Sequence, residues 1–69
     1  MELRFQWKTS NSNIENCPAR YEVVSGEGGY VIQGKRLSRR ERRQLRNLGR
    51  DETAVWVPAD VITGPGKTE

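Results

Sequence analysis

The residues of this 69-residue chain best suited to chemistry are arginines and lysines clustered in one segment. From position 35 to position 50 the chain carries eight basic side chains and one acid, whereas the other residues carry four basic and eight acidic side chains. The eight are Lys35, Arg36, Arg39, Arg40, Arg42, Arg43, Arg46 and Arg50. A guanidinium group holds two phosphate oxygens at once and stacks on bases, so this segment predicts phosphate contacts with nucleic acid.

A helix is expected to position the arginines. Ser38 and Glu41 have the spacing of a capping box, in which each side chain satisfies a free backbone N–H of the other residue. Gly49 stands where a left-handed residue commonly ends a helix. The sequence therefore predicts a helix over about 39–48.

On that helix four arginines would form a stripe. At about 100° per residue, Arg39, Arg42, Arg43 and Arg46 fall within an arc of about 100°. Like charges one turn apart cost about 0.2–0.5 kcal/mol per pair, so stability alone does not favour this pattern. Three interpretations remain open: contact with nucleic acid, contact with an acidic protein partner, and a solvated face or one masked by the acidic remainder of the chain.

Trp56 is the second candidate contact residue. In the predicted strand 53–57 it lies on the face opposite Val55 and Val57. Either both faces of that strand are covered, or Trp56 is exposed. An exposed tryptophan beside a basic helix suits base stacking or a protein hot spot.

The composition argues against an enzyme. The chain has no histidine and a single cysteine, Cys17. It therefore lacks a histidine base and a thiolate cage for zinc, and we expect no catalytic residue, no metal and no cofactor. Cys17 has no second cysteine or histidine to activate it, and we expect it to be buried and inert.

The rest of the chain predicts a small α+β domain. Strands are expected over 2–8, 21–24 and 30–35, with glycines of a hairpin turn between the second and third. Gly34 suggests a bulge or bend. With the strand at 53–57, the order β-β-β-α-β predicts an antiparallel sheet of three to four strands with one arginine-rich helix packed on it. We expect one domain over 1–62 and a disordered tail over 63–69.

The apolar pattern predicts a thin core. In the first strand Leu3, Phe5 and Trp7 alternate with polar residues and should share one buried face. Pro58 can open a single helical turn. The complete expected core is Leu3, Phe5, Trp7, Tyr21, Val23, Val31 or Ile32, Leu37, Leu45, Leu48, Val55 and Val57. A homodimer that shares apolar surface would relieve the shortage.

Part of the sequence resembles a group of very small actinobacterial proteins. The residues that carry the resemblance are Trp7 to Ser12, the pair Asn16-Cys17, and Gly29 to Gly34, and the match as a whole extends over about half of the chain. These proteins of unknown function are encoded beside helix-turn-helix regulators and are linked to the Streptomyces developmental protein BldB. Their pattern lacks an arginine helix. The resemblance implies a non-enzymatic regulatory or accessory protein that acts through a regulator.

Together these features predict a small cytoplasmic regulatory protein that binds nucleic acid through its arginine helix. The alternative is an interaction module for an acidic partner such as a transcription regulator. The sequence contains no run of about 20 apolar residues and no apolar signal-peptide run, so we expect no membrane association.

Overall fold

The fold combines two antiparallel sheets with two short helices, which confirms the predicted α+β class. The computed structural model describes residues 1–10 and 17–64. Its strands and helices, in chain order, are β1 Leu3–Lys8, β2 Ala19–Val23, β3 Tyr30–Gln33, β4 Lys35–Arg36, α1 Arg39–Arg42, β5 Val55–Trp56 and α2 Ala59–Thr63.

The larger sheet has the strand order β1-β2-β3. The β2–β3 hairpin is closed by the predicted glycine turn, in which Gly26, Gly28 and Gly29 have positive φ. That backbone region is open to glycine at no steric cost. The backbone N–H of Val23 donates to the Gly29 carbonyl at 2.9 Å and closes the loop.

A β-bulge in β1 overturns the expected single buried face of this strand. Phe5 lies opposite Tyr21, but Trp7 lies opposite Arg20, the adjacent residue of β2. Because neighbouring residues of a strand face opposite sides, the bulge turns Trp7 to the side of the sheet opposite Phe5. Leu3 and Phe5 are 47% and 56% exposed, which contradicts their expected place in the core.

The side of the sheet that carries Trp7 is covered by α2. The Trp7 indole N–H donates to the Val61 carbonyl at 2.8 Å. The Arg20 guanidinium lies over the rings of Trp7 and Tyr30, 4.9 and 4.0 Å from their centroids, and donates to the Ile62 carbonyl at 2.7 Å. The helix that packs on the larger sheet is therefore α2, the turn expected after Pro58, and not the arginine-rich helix.

The end of α2 lies further along the chain than the predicted domain boundary. Thr63 is the last residue of α2, and Gly64 is buried. Both residues belong to the segment for which the sequence predicts a disordered tail. The remainder of that predicted tail, 65–69, lies outside the described residues.

The core is smaller than the sequence predicts. Among the described residues, the buried apolar side chains are Ala19, Val23 and Val61 together with Pro18, and of these only Val23 was expected. Leu48 and Val55 are exposed, like the two residues of β1. The other expected core residues are half-buried: Trp7, Tyr21, Val31, Ile32, Leu37, Leu45 and Val57.

Gly34 interrupts the predicted third strand and divides it into β3 and β4, at the position where the sequence predicts a bulge or bend. A Cβ at this position would lie 2.5 Å from both the Trp56 carbonyl oxygen and Val57 Cγ1. Only glycine lets the backbones approach this closely. β4 then pairs antiparallel with β5 in a separate two-stranded ribbon.

Candidate functional site

The basic segment begins in the ribbon and continues into α1, whose start is the predicted capping box. The Glu41 backbone N–H donates to Ser38 Oγ at 3.2 Å, and the Ser38 N–H donates to Glu41 Oε1 at 2.8 Å. Two donors that the first helical turn leaves without partners are satisfied in this way. Ser38 and Glu41 thus fix where the arginines start to wind into a helix.

The helix is much shorter than predicted. α1 ends at Arg42, and its backbone tightens into i→i−3 hydrogen bonds from Gln44 and Leu45, each 3.1 Å long. The left-handed residue beyond it is Asn47, with φ of 55°, and not Gly49. Asparagine adopts this conformation more readily than most residues.

The short length has a physical cause. No residue of α1 is buried, so packing does not stabilise the helix. Short helices depend on such packing, because their own hydrogen bonds barely offset the cost of nucleation. The repeated positive charges along α1 oppose further extension.

The predicted stripe of four arginines is accordingly reduced. Arg39 and Arg43 lie one turn apart, because the Arg43 N–H donates to the Arg39 carbonyl at 3.2 Å, and Arg42 lies beside them. Arg46 follows the helical turns and does not extend the stripe. Lys35 and Arg36 form β4, Arg40 belongs to α1, and Arg50 lies in the loop before β5.

All eight basic side chains of the segment are exposed. In the described part of the chain none of them makes an ion pair; the ion pair found there joins Arg4 to Glu22 on the larger sheet. The described acidic side chains therefore do not mask the segment by direct contact.

Two nearby carboxylates are occupied by backbone groups. Glu41 accepts the Ser38 N–H, and Glu52 accepts the Gly49 N–H at 2.8 Å. The pKa of Glu41 lies below its usual 4.5, chiefly because of the Ser38 backbone hydrogen bond, with smaller contributions from the Ser38 hydroxyl and the charge of Lys35. Glu41 therefore serves the cap as an anion.

The two-stranded ribbon brings an aromatic side chain to the basic segment. Trp56 is 46% exposed and lies directly opposite Lys35. Opposite residues of an antiparallel pair point to the same face, so the indole and the ammonium group share one face of the ribbon. The sequence analysis singles out Lys35 and Trp56 separately and does not predict that they pair. The alternation of Val55, Trp56 and Val57, with Gly34 as the small residue opposite them, is the sequence feature from which the pairing could have been predicted.

Metal-ligating groups and Cys17 are the remaining candidates among residues 1–10 and 17–64. No group of metal-ligating side chains occurs there. Cys17 is exposed, so the expectation that it is buried was wrong. The interior at this junction is filled by Pro18 and Ala19 instead.

No helix in the described ranges has the length and apolar character needed to cross a membrane.

Comparisons with protein-family models, curated proteins and solved structures found no match for this chain. Its function is therefore inferred from the residues of the site.

Proposed function

We propose that this protein is a small, non-enzymatic regulatory protein of the cytoplasm that binds nucleic acid through its basic segment. The supporting observation is that the segment's eight basic side chains are exposed and, in the described part of the chain, free of ion pairs. The phosphate-contacting residues in this proposal are Arg39, Arg42, Arg43, Arg46, Arg40, Lys35, Arg36 and Arg50.

Phosphate binding accounts for a pattern that is otherwise unfavourable. Arg39, Arg42 and Arg43 repel one another on a single turn, and Arg39 lies at the helix end that disfavours cations. A bound polyanion removes this repulsion. The exposed side chains also bind without first breaking an ion pair in the described residues.

The first test is a fluorescence-anisotropy titration with labelled nucleic acid at about 50 and about 200 mM salt. Binding at the lower concentration should weaken steeply at the higher one, because each neutralised phosphate releases counterions. Arg42→Gln/Arg43→Gln should lower affinity and reduce the salt slope by about 2. Absence of binding at low salt would overturn the proposal.

The larger sheet provides a matched control. Arg4→Gln/Lys8→Gln removes the same charge from two exposed residues of β1. This variant should keep the wild-type salt slope. Equal losses in the two double variants would mean that binding reflects net charge and not the basic segment.

An acidic protein partner is the second candidate function. The observation that favours it is the exposure of both Val55 and Trp56 beside the basic segment, since protein interfaces combine charge with apolar contact. Such a complex should keep more of its affinity at 200 mM salt than a phosphate complex does. A partner such as a transcription regulator would also fit the resemblance to the actinobacterial proteins.

A further inference from the structure

We infer that the nucleic acid bound by the basic segment is single-stranded, with one base stacked on Trp56 and an adjacent phosphate held by Lys35; this inference rests on the proposed function. Trp56 is exposed and lies opposite Lys35 on the β4–β5 ribbon. A ring with a cation beside it matches the repeating unit of a single strand, in which an accessible base alternates with a phosphate.

The position of Trp56 in the ribbon supports this role. Val55 and Val57 lie on the other face, where their side chains approach Gly34. The indole therefore projects from the opposite face, towards solvent. Proteins that bind single strands likewise stack bases on exposed aromatic side chains that lie near basic residues.

The placement of the exposed apolar side chains Val55 and Trp56 on opposite faces of the ribbon argues against a protein hot spot. Because Val55 lies on the other face, Trp56 contributes a single ring on the side of Lys35. The core of a protein interface requires several apolar side chains that exclude water together. One base stacked on one indole requires no such area.

The length of α1 argues against reading of a duplex. Its four residues span about 6 Å, which is shorter than the length of about two base pairs along the axis of a DNA duplex. Helices that read DNA lie in the major groove and present several side chains to successive base pairs. In a duplex the bases are also stacked on one another, so Trp56 would reach a base face only after unstacking.

The test compares one labelled mixed-sequence oligonucleotide as a single strand and as its duplex, each in DNA and RNA form, at low salt. The wild-type protein should prefer the single strand. Trp56→Ala should weaken single-strand binding about 5- to 150-fold and change duplex binding less than about twofold. Trp56→Phe should retain most of the affinity, because its ring still stacks.

Phe5→Ala is the matched control, since Phe5 is also an exposed aromatic residue of a strand but lies in β1. It should leave single-strand affinity unchanged. Should Trp56→Ala fail to fold, fluorescence of the wild type gives the answer: a saturating single strand should quench tryptophan emission, and this quenching should be lost in Trp56→Phe.

The outcomes separate this inference from the proposed function. Preference for the duplex, or unchanged single-strand affinity in Trp56→Ala, overturns the inference and leaves the phosphate-binding proposal intact. Equal losses in Trp56→Ala and Phe5→Ala overturn it as well. Failure of both nucleic-acid forms to bind at low salt overturns both proposals, and Trp56 would then be assigned to a protein contact.

Discussion

Asp60 ties the end of β1 to α2 through its carboxylate. Oδ1 accepts the Thr9 hydroxyl and Oδ2 accepts both the backbone N–H and the hydroxyl of Ser10, each at 2.9 Å. These donors favour the charged carboxylate and hold its pKa below the usual 3.8, with the Ser10 backbone N–H as the largest contribution. A single side chain thus links residues that lie far apart in the sequence.

The lowered pKa makes the link sensitive to acid. In the unfolded chain Asp60 takes up a proton near 3.8, at a higher pH than in the folded protein. Its contribution to stability is therefore complete above pH 3.8 and is lost as the pH falls through the lower pKa of the folded state.

Asp60→Asn should lower the urea midpoint at pH 7 and reduce the loss of stability on acidification. Urea unfolding followed by circular dichroism across this pH range measures both effects. Glu41, whose pKa is also lowered, should leave some residual acid sensitivity. Asp51→Asn, at an exposed residue, should behave like the wild type. An unchanged acid response in Asp60→Asn would contradict this account.

At the scale of the secondary structure, the site depends on the pairing of two short strands. β4 and β5 contain two residues each. Their pairing places Lys35 against Trp56 only because Gly34 lets the Trp56 backbone approach. The geometry of the proposed stacking site is therefore set by a residue that makes no contact with nucleic acid in the proposal.

Gly34→Ala should disrupt the ribbon. Its Cβ would lie within 2.5 Å of a backbone oxygen, and we expect the overlap to cost about 1–3 kcal/mol in unfolding free energy. Urea unfolding gives the energy, and loss of cross-strand NOEs between Lys35 and Trp56 reports the pairing. Gly49→Ala is a milder control, because its Cβ would meet only the Glu52 side chain, at 3.1 Å. Intact NOEs in Gly34→Ala would refute the role of this glycine.

For the whole molecule, stability depends on a small interior where α2 meets the larger sheet. Val61 is fully buried, and its neighbour Ile62 is 52% exposed. A chain of 69 residues buries a smaller fraction of its surface on folding than a larger domain does, so each buried side chain represents a large part of the total stability.

Val61→Ala should lower the unfolding free energy by about 2 kcal/mol, the transfer of two methyl groups plus the cavity left behind. Ile62→Ala removes a side chain from the same helix, and the Ile62 carbonyl remains available to Arg20. It should cost about 0.5 kcal/mol or less. Chemical denaturation compares the two, and equal costs would show that α2 does not pack through Val61.

The sequence by itself determined the features that depend on neighbouring residues. The capping box at Ser38 and Glu41, the glycine hairpin turn and the helical turn after Pro58 all follow from local steric and hydrogen-bonding preferences. The charge asymmetry is likewise a property of composition, and it is sufficient to single out the eight basic residues.

Only the tertiary structure decided which side of the sheet each side chain of β1 faces and how far α1 extends. The bulge that turns Trp7 away from Phe5 arises from pairing with β2, which the alternation within β1 does not encode. α1 ends early because it buries no residue, and the arginine pattern contains no information about what packs against it. Burial and register are set by contacts between distant residues, and those contacts form only when the chain is folded.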